Sequence, residues 1–263
     1  VEALRGVSLT IQPGEQVAIV GQNGSGKTTL VKHFNGLLQA AQGNVWIGDW
    51  NTREVSTAKL AARVGYVFQN PDEQLFCRTV LEEVSYGPRN LKYSPEKISQ
   101  LVAGAMELTD LGEYSAANPY DLSPTWRKMT ALASVLAMDT PVLVLDEPTT
   151  GQDYASIARI ARVIARLRAE GKTVVAITHD IDFCAENFSR VIAMAQGQAL
   201  LDGPAEQVLG QADILAQTYV DPPQLVRLGN RLGFVKPALN ESQFLDAYRG
   251  IRNGPRMDTN SRE

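Results

Sequence analysis

Gly21-Gln22-Asn23-Gly24-Ser25-Gly26-Lys27-Thr28 fits the spacing G-x-x-x-x-G-K-[ST] without a mismatch. Glycines in such a run let the backbone curl so that successive amides point inward at phosphate oxygens. Lys27 can reach the β- and γ-phosphates of a nucleotide as a point charge, and Thr28 can offer its hydroxyl to Mg²⁺. The helix expected from Thr29 onward turns its positive end toward the same anion. A chance glycine-rich turn is the competing reading. The predicted strand before the loop and the predicted helix after it count against that reading.

Two carboxylates supply the second half of such chemistry. Val142-Leu143-Val144-Leu145 reads as a buried strand that delivers Asp146 and Glu147 at its end. Asp146 is suited to hold a magnesium shell, and Glu147 to polarise an attacking water. A solvated Asp-Glu pair at a strand end is the bland alternative, weakened by the Pro148-Thr149-Thr150-Gly151 that follows.

The elements that must position these residues are legible in outline. Gln16 to Val20, Val64 to Phe68, Val142 to Leu145 and Thr173 to Thr178 read as buried strands. Thr29 to Leu38 has helical spacing, with Leu30, Phe34, Leu37 and Leu38 as its apolar stripe. Val45 to Ile47 followed by Gly48-Asp49 reads as a strand and turn. Thr79 to about Asn118 is helical in pattern, broken at Gly87-Pro88 and at Ser94-Pro95. Ile157 to Ala169 is an amphipathic helix with Arg159, Arg162, Arg166 and Arg168 on its wet side, ended by Gly171. Val191 to Met194 and Ala199 to Leu201 form a hairpin through Gln196-Gly197. Strand and helix alternation of this kind predicts an α/β sheet with parallel strands. From about Asp213 the texture changes to short helices between Pro222, Pro223 and Pro237, and Asn253 to Glu263 is polar enough to be disordered.

Composition narrows the functional classes. The 263 residues are 44% hydrophobic and 21% charged, a balance suited to a folded globular chain. No apolar run approaches the roughly 20 residues that span a bilayer, so a membrane role has to come through a partner. A net charge of −4 gives no electrostatic reason to expect nucleic acid. Cys77 and Cys184 fit no metal spacing and read as reduced thiols. Because the sequence begins at Val1 rather than Met, we expect a fragment or the second half of a longer polypeptide.

Taken in order, Gly21 to Thr28, Gln69, Asp146-Glu147-Pro148-Thr149, Asp153 and His179 resemble the ABC ATPase family. That resemblance implies a P-loop NTPase (RecA-like) core with a parallel sheet, antiparallel β segments, an inserted helical subdomain and a small C-terminal helical domain. It implies ATP as substrate with Mg²⁺, the nucleotide lying on Gly21 to Thr28 and Thr29. Gln69 resembles the glutamine that contacts Mg²⁺ and the membrane subunit, Asp153 the aspartate that speaks across the dimer, and His179 the switch histidine that senses the γ-phosphate. Glu147, His179 and Gln69 are then the expected catalytic set, and Thr28, Gln69 and Asp146 the expected metal set. Within the family, Val67 to Phe76, Thr79 to Pro88 and Pro222-Pro223-Gln224-Leu225 with Leu228 and Leu232-Gly233 resemble energy-coupling factor or cobalt-type importers. The implied division is an ATPase domain at 1–212 with a helical subdomain at about 76–125, then a helical extension at 213–252 and a tail at 253–263. The implied partners are a second ABC ATPase subunit or fused half and an integral membrane subunit, with no nucleic acid, at the cytoplasmic face of the membrane.

Two departures qualify the resemblance. The family's signature loop reads Leu-Ser-Gly-Gly-Gln, whereas this chain has Leu122-Ser123-Pro124-Thr125-Trp126, followed by Arg127 and Lys128. Ser123 is kept and can cap the helix, but Pro124 donates no N–H. An asymmetric dimer follows as the expectation, with one hydrolytic site and one degenerate site. The other departure is the absence of Tyr, Phe or Trp between Val1 and Gly14, where the family carries its adenine-stacking aromatic. A regulatory module that binds ATP with little hydrolysis, or an ABC protein outside transport, are the competing readings.

Overall fold

A computed structural model describes residues 2–253; the rest of the tail expected to be disordered lies outside the described residues. The first strand, β1 (Gln16–Val20), runs into the glycine-rich loop and α1 (Lys27–Lys32). A short antiparallel ribbon follows, β2 (Trp46–Ile47) with β3 (Trp50–Asn51), then one turn of helix, α2 (Thr57–Leu60), and β4 (Val64–Val67). Three helices come next: α3 (Val80–Asn90), α4 (Pro95–Leu108) and α5 (Pro124–Leu136). The chain then alternates through β5 (Val142–Asp146), α6 (Tyr154–Ala169), β6 (Thr173–Ile177), α7 (Ile181–Asn187) and β7 (Arg190–Ala195). It finishes with β8 (Gln198–Pro204), α8 (Ala205–Leu209), α9 (Ala212–Gln217), α10 (Gln224–Arg231) and α11 (Glu241–Asn253).

The main sheet has the order β4-β5-β6-β1-β7-β8, parallel except for the β7–β8 hairpin. Because successive strand residues face opposite sides, β1 feeds two cores. Ala18 and Val20 join the cluster under α5 and α6 that includes Met129, Leu132 and Ile164. Val17 and Ile19 join the other, with Leu30, Phe34 and, from the segment before β1, Leu4, Val7, Leu9 and Ile11. Every residue of β1 is buried, and a fully buried Val or Ile contributes about 1.5–3 kcal/mol. The strand that launches the loop is therefore among the best anchored in the molecule. Leu215 and Val220, beyond the sheet, belong to the same cluster as Ala18.

Three expectations are corrected. The helix predicted over Thr29 to Leu38 ends at Lys32 and passes into turns, leaving Leu37 and Leu38 exposed. Asn35-Gly36 breaks it, with Gly36 at φ 73° and the Asn35 side chain accepting from the Leu37 amide. Gly87-Pro88, predicted to interrupt a helix, lies inside α3. Glycine there serves close approach, since a Cβ on Gly87 would stand 2.5 Å from Met138 Cγ. Arg159, assigned to the wet side of α6, is mostly covered: its guanidinium pairs with Asp110 at 2.6 Å and lies over the Trp126 ring.

Candidate active site

The sheet order assembles the site. The exits of β4, β5, β6 and β1 carry Gln69, Asp146-Glu147, His179 and Gly21, so residues distant in sequence stand side by side along one rim. This is the carboxyl edge of a parallel sheet, where ligands of open α/β folds bind. A cavity of about 680 Å³ opens there, lined by Gly21, Gln22, Asn23, Gln69, Glu147, Thr150, His179 and Asp180. Its remaining wall comes from Ile181 and Asp182 at the start of α7 and from Tyr219 to Gln224 and Arg227, which follow α9.

Within the loop, Gly21 is fixed by close packing: a Cβ would fall 2.1 Å from the Met194 carbonyl of β7. Gly24 and Gly26 adopt positive φ of 81° and 102°, which suits glycine. Lys27 is buried, and its ammonium donates to the carbonyls of Gly21 at 2.7 Å and Gln22 at 2.9 Å. Burial pushes its pKa below that of a free lysine, while Glu147 and Asp146 pull it back up. The loop is also braced from outside, since the Gln22 amide donates to the Thr218 carbonyl at 3.1 Å. Thr29 follows in α1, where its carbonyl contacts His33 Nδ1 at 2.7 Å.

At the exit of β5, Asp146 is buried, and burial raises its pKa above the usual carboxylate range, against the Tyr66 hydrogen bond. The Tyr66 hydroxyl donates to Asp146 Oδ2 at 2.6 Å, which orients the carboxylate. The other oxygen, Oδ1, faces the Thr28 hydroxyl at 3.4 Å. Glu147 has a φ of 50°, an uncommon conformation for a non-glycine residue. Its carboxylate lies 2.7 Å from His179 Nδ1, with the Thr150 hydroxyl at 3.3 Å. Against an ionised carboxylate, which can only accept, Nδ1 would be the donor and Nε2 would be left for a second partner.

The oxygen donors of Thr28 and Asp146 suit Mg²⁺, which is bound through one or two protein oxygens plus waters and substrate phosphates. Among the described residues no group of three or more His, Cys, Asp or Glu could form a metal cage. Thr28 and Asp146 together fit a metal that arrives with a phosphate ligand.

Of the predicted residues, Gly21, Gln22, Asn23, Gln69, Glu147 and His179 line the cavity, whereas Gly24 to Thr29, Asp146, Asp153 and Ser123 do not. Asp153 is the N-cap of α6, its Oδ1 accepting from the Ser156 amide at 2.8 Å. Ser123 occupies the N-cap position of α5, but its hydroxyl makes no capping bond, contrary to expectation. Pro124 takes the first helical turn, where its missing N–H costs the helix nothing. Trp126 is turned into the helical layer, its ring 4.7 Å from Tyr114 and 4.8 Å from the Arg159 guanidinium.

Sequence reasoning missed several neighbours of the site. By sequence Tyr66 is only part of a buried strand, and the wall from Tyr219 to Arg227 only part of an extension. Lys128 is buried, with its pKa pushed down to about 8 by burial against the pull of Glu147 and Asp146. The basic pair Arg127-Lys128 heading the largely apolar stretch Met129 to Leu136 is the available signal.

The comparisons with known proteins agree with this geometry. The family described as ABC transporter matches residues 4–150. The energy-coupling factor transporter ATP-binding protein EcfA of Methanothermobacter thermautotrophicus is 37% identical over 234 residues, covering 88% of this chain and 75% of the relative. CbiO1 of Clostridium perfringens, described as part of the ABC transporter complex cbiONQ, superposes with a TM-score of 0.73 at 32% identity over 88% of this chain and 92% of that one. An ATP-binding cassette in a post-hydrolysis dimer bound to ADP and Pi superposes at 0.70, with 29% identity over 77% of this chain and 90% of that one. The chain spans only 39% and 43% of the length of two 41%-identical relatives from Methanosarcina acetivorans and Methanosarcina mazei. Among the described residues no helix is long and apolar enough to cross a membrane. With the phosphate loop, the carboxylate pair and the histidine gathered at one sheet rim, the chain belongs to the ABC transporter ATP-binding family, as a P-loop ATPase domain.

Proposed function

We propose that this chain binds and hydrolyses ATP to power an energy-coupling factor-like importer of a vitamin or metal ion, from the cytoplasmic face of the membrane. The observation that carries this reading is the 2.7 Å contact between Glu147 and His179 in the cavity that the phosphate loop enters. Lys27 and the loop amides would hold the triphosphate. Glu147 would orient the attacking water and take its proton, and His179 would keep that carboxylate aimed while Nε2 senses the γ-phosphate. Thr28 and Asp146, with Gln69, would hold Mg²⁺, which when bound neutralises charge building on the phosphate oxygens.

The domain division at 1–212 and 213–252 belongs to this proposal, as does docking of a membrane subunit through Gln69 and the helical layer at about 76–125. Exposed Phe76 and Tyr86, edge to face at 4.7 Å, support the docking role. A second ATPase subunit or fused half would lay its signature loop on this chain's phosphate loop, and Asp153 and Ser123 would face that partner. Pro124 supports an asymmetric pair, because the loop offered in return lacks one N–H donor. The same residue gives weight to a module that binds ATP but turns it over little.

Glu147→Gln separates these readings. Turnover in the assembled complex should fall on the order of 10²- to 10⁴-fold, the usual contribution of a general base, with ATP affinity retained. Unchanged turnover would remove Glu147 from its role.

A further inference from the structure

We infer that Lys128 is a positioning residue that clips the exits of β4 and β5 to the helix carrying the signature loop, thereby holding Glu147 in its working conformation. This rests on the reading of Glu147 given above. Lys128 lies five residues after Ser123, in the second turn of α5, and is 4% exposed. Its ammonium donates to the Glu147 carbonyl at 2.7 Å and to the Gln69 carbonyl at 3.2 Å. No carboxylate forms an ion pair with it among the described residues, although Asp146 and Glu147 both lie close enough to act on its charge.

Burying an ammonium is costly unless its protons find acceptors. The acceptors here are informative, because both carbonyls lie where the chain leaves the sheet. Residue 147 is also one of the few non-glycine residues at positive φ. Such a conformation persists only where its surroundings over-determine it. The Glu147 amide is held by the Ile177 carbonyl at 2.9 Å and its carbonyl by Lys128, so the peptide groups on both sides of its Cα are fixed. Since α5 packs on α3 and α4 as well as β4, a shift of the helical layer would reach the Gln69 and Glu147 carbonyls directly through this side chain.

The test compares Lys128→Met, Lys128→Arg and Lys128→Gln in the complete transporter complex, with ATP affinity measured on the purified chain. Lys128→Met should lower kcat on the order of 10- to 100-fold, the scale of a small misplacement of a reacting group. ATP affinity should stay within about threefold, because the phosphate contacts are untouched. Lys128→Arg, which keeps charge and donors, should recover part of the loss. If Lys128→Met fails to fold, Lys128→Gln, which stays polar but loses the charge and the reach to the two carbonyls, takes its place with the same expected split. An unchanged kcat overturns the inference, as does a parallel fall of kcat, affinity and thermal midpoint. Glu147→Gln is run alongside: loss of turnover there with full turnover in Lys128→Met rejects only the clip, whereas normal turnover in Glu147→Gln rejects the reading beneath it.

Discussion

At the phosphate loop, Gly21, Ser25 and Lys27 are buried, and the loop packs closely on Met194 on one side and is hydrogen-bonded to Thr218 on the other. At the start of α5, Ser123 and Pro124 are exposed and the Ser123 hydroxyl caps nothing. The bulk that distinguishes this second corner is partly spent inside the molecule, where Trp126 packs on Tyr114 and lies beneath Arg159. One corner is thus pre-shaped for an anion by its own fold. The other presents a short exposed edge that the fold does not brace in the same way. The substitutions at the signature loop accordingly have two separate characters: Pro124 alters what the edge can donate, whereas Trp126 alters how the helical layer is packed.

That contrast can be broken most forcefully at Lys27. Lys27→Ala should weaken nucleotide binding roughly 10- to 100-fold, the equivalent of about 1.5–3 kcal/mol for hydrogen bonds from a charged donor. Titration with a fluorescent nucleotide measures it, and an unchanged affinity would mean that the loop amides alone make the site.

A smaller effect is expected at the signature corner. Pro124→Gly with Thr125→Gly restores an N–H and the room for close approach, and should raise turnover of the self-paired chain about tenfold, one charge-assisted hydrogen bond's worth. Adding Trp126→Gln should give no further gain and should lower the thermal midpoint, because the ring's packing is lost. A gain that appears only with Trp126→Gln would contradict the division drawn above.

The smallest effect sharpens the packing half of the contrast. Asp110 accepts from Arg159 and Arg162, and the Arg159 hydrogen bond holds its carboxyl below the usual range. A depressed folded pKa stabilises above the unfolded value, and the benefit is lost as pH falls through the folded one. Asp110→Asn, which tolerates the positive φ of 57°, should therefore cost below about 1 kcal/mol at pH 7. That cost should shrink in acid, as chemical denaturation at pH 7 and pH 3 would record.

Much of this was readable in the sequence. The loop from Gly21 to Thr28 and the run ending at Asp146-Glu147 declared themselves because their chemistry demands fixed residue types at fixed local spacing. The strands were legible because buried parallel strands are continuous apolar runs. The lower end of α1 was not, since Leu37 and Leu38 keep helical spacing while Asn35-Gly36 offers the backbone another set of partners. Gly87-Pro88 misled for the opposite reason. Its glycine answers to Met138, a residue 51 positions on, which no local rule can see.

The sequence by itself determined that the chain has a glycine-rich loop of phosphate-binding spacing and a carboxylate pair at a strand end, since both follow from residue type and short-range spacing. Only the tertiary structure decided that His179 lies 2.7 Å from Glu147, that Tyr66 aims Asp146, and that Lys128 ties Gln69 and Glu147 to α5. Those contacts depend on the order β4-β5-β6-β1. That order is fixed by which apolar faces pack together over the whole chain, and so is written in no single stretch of it.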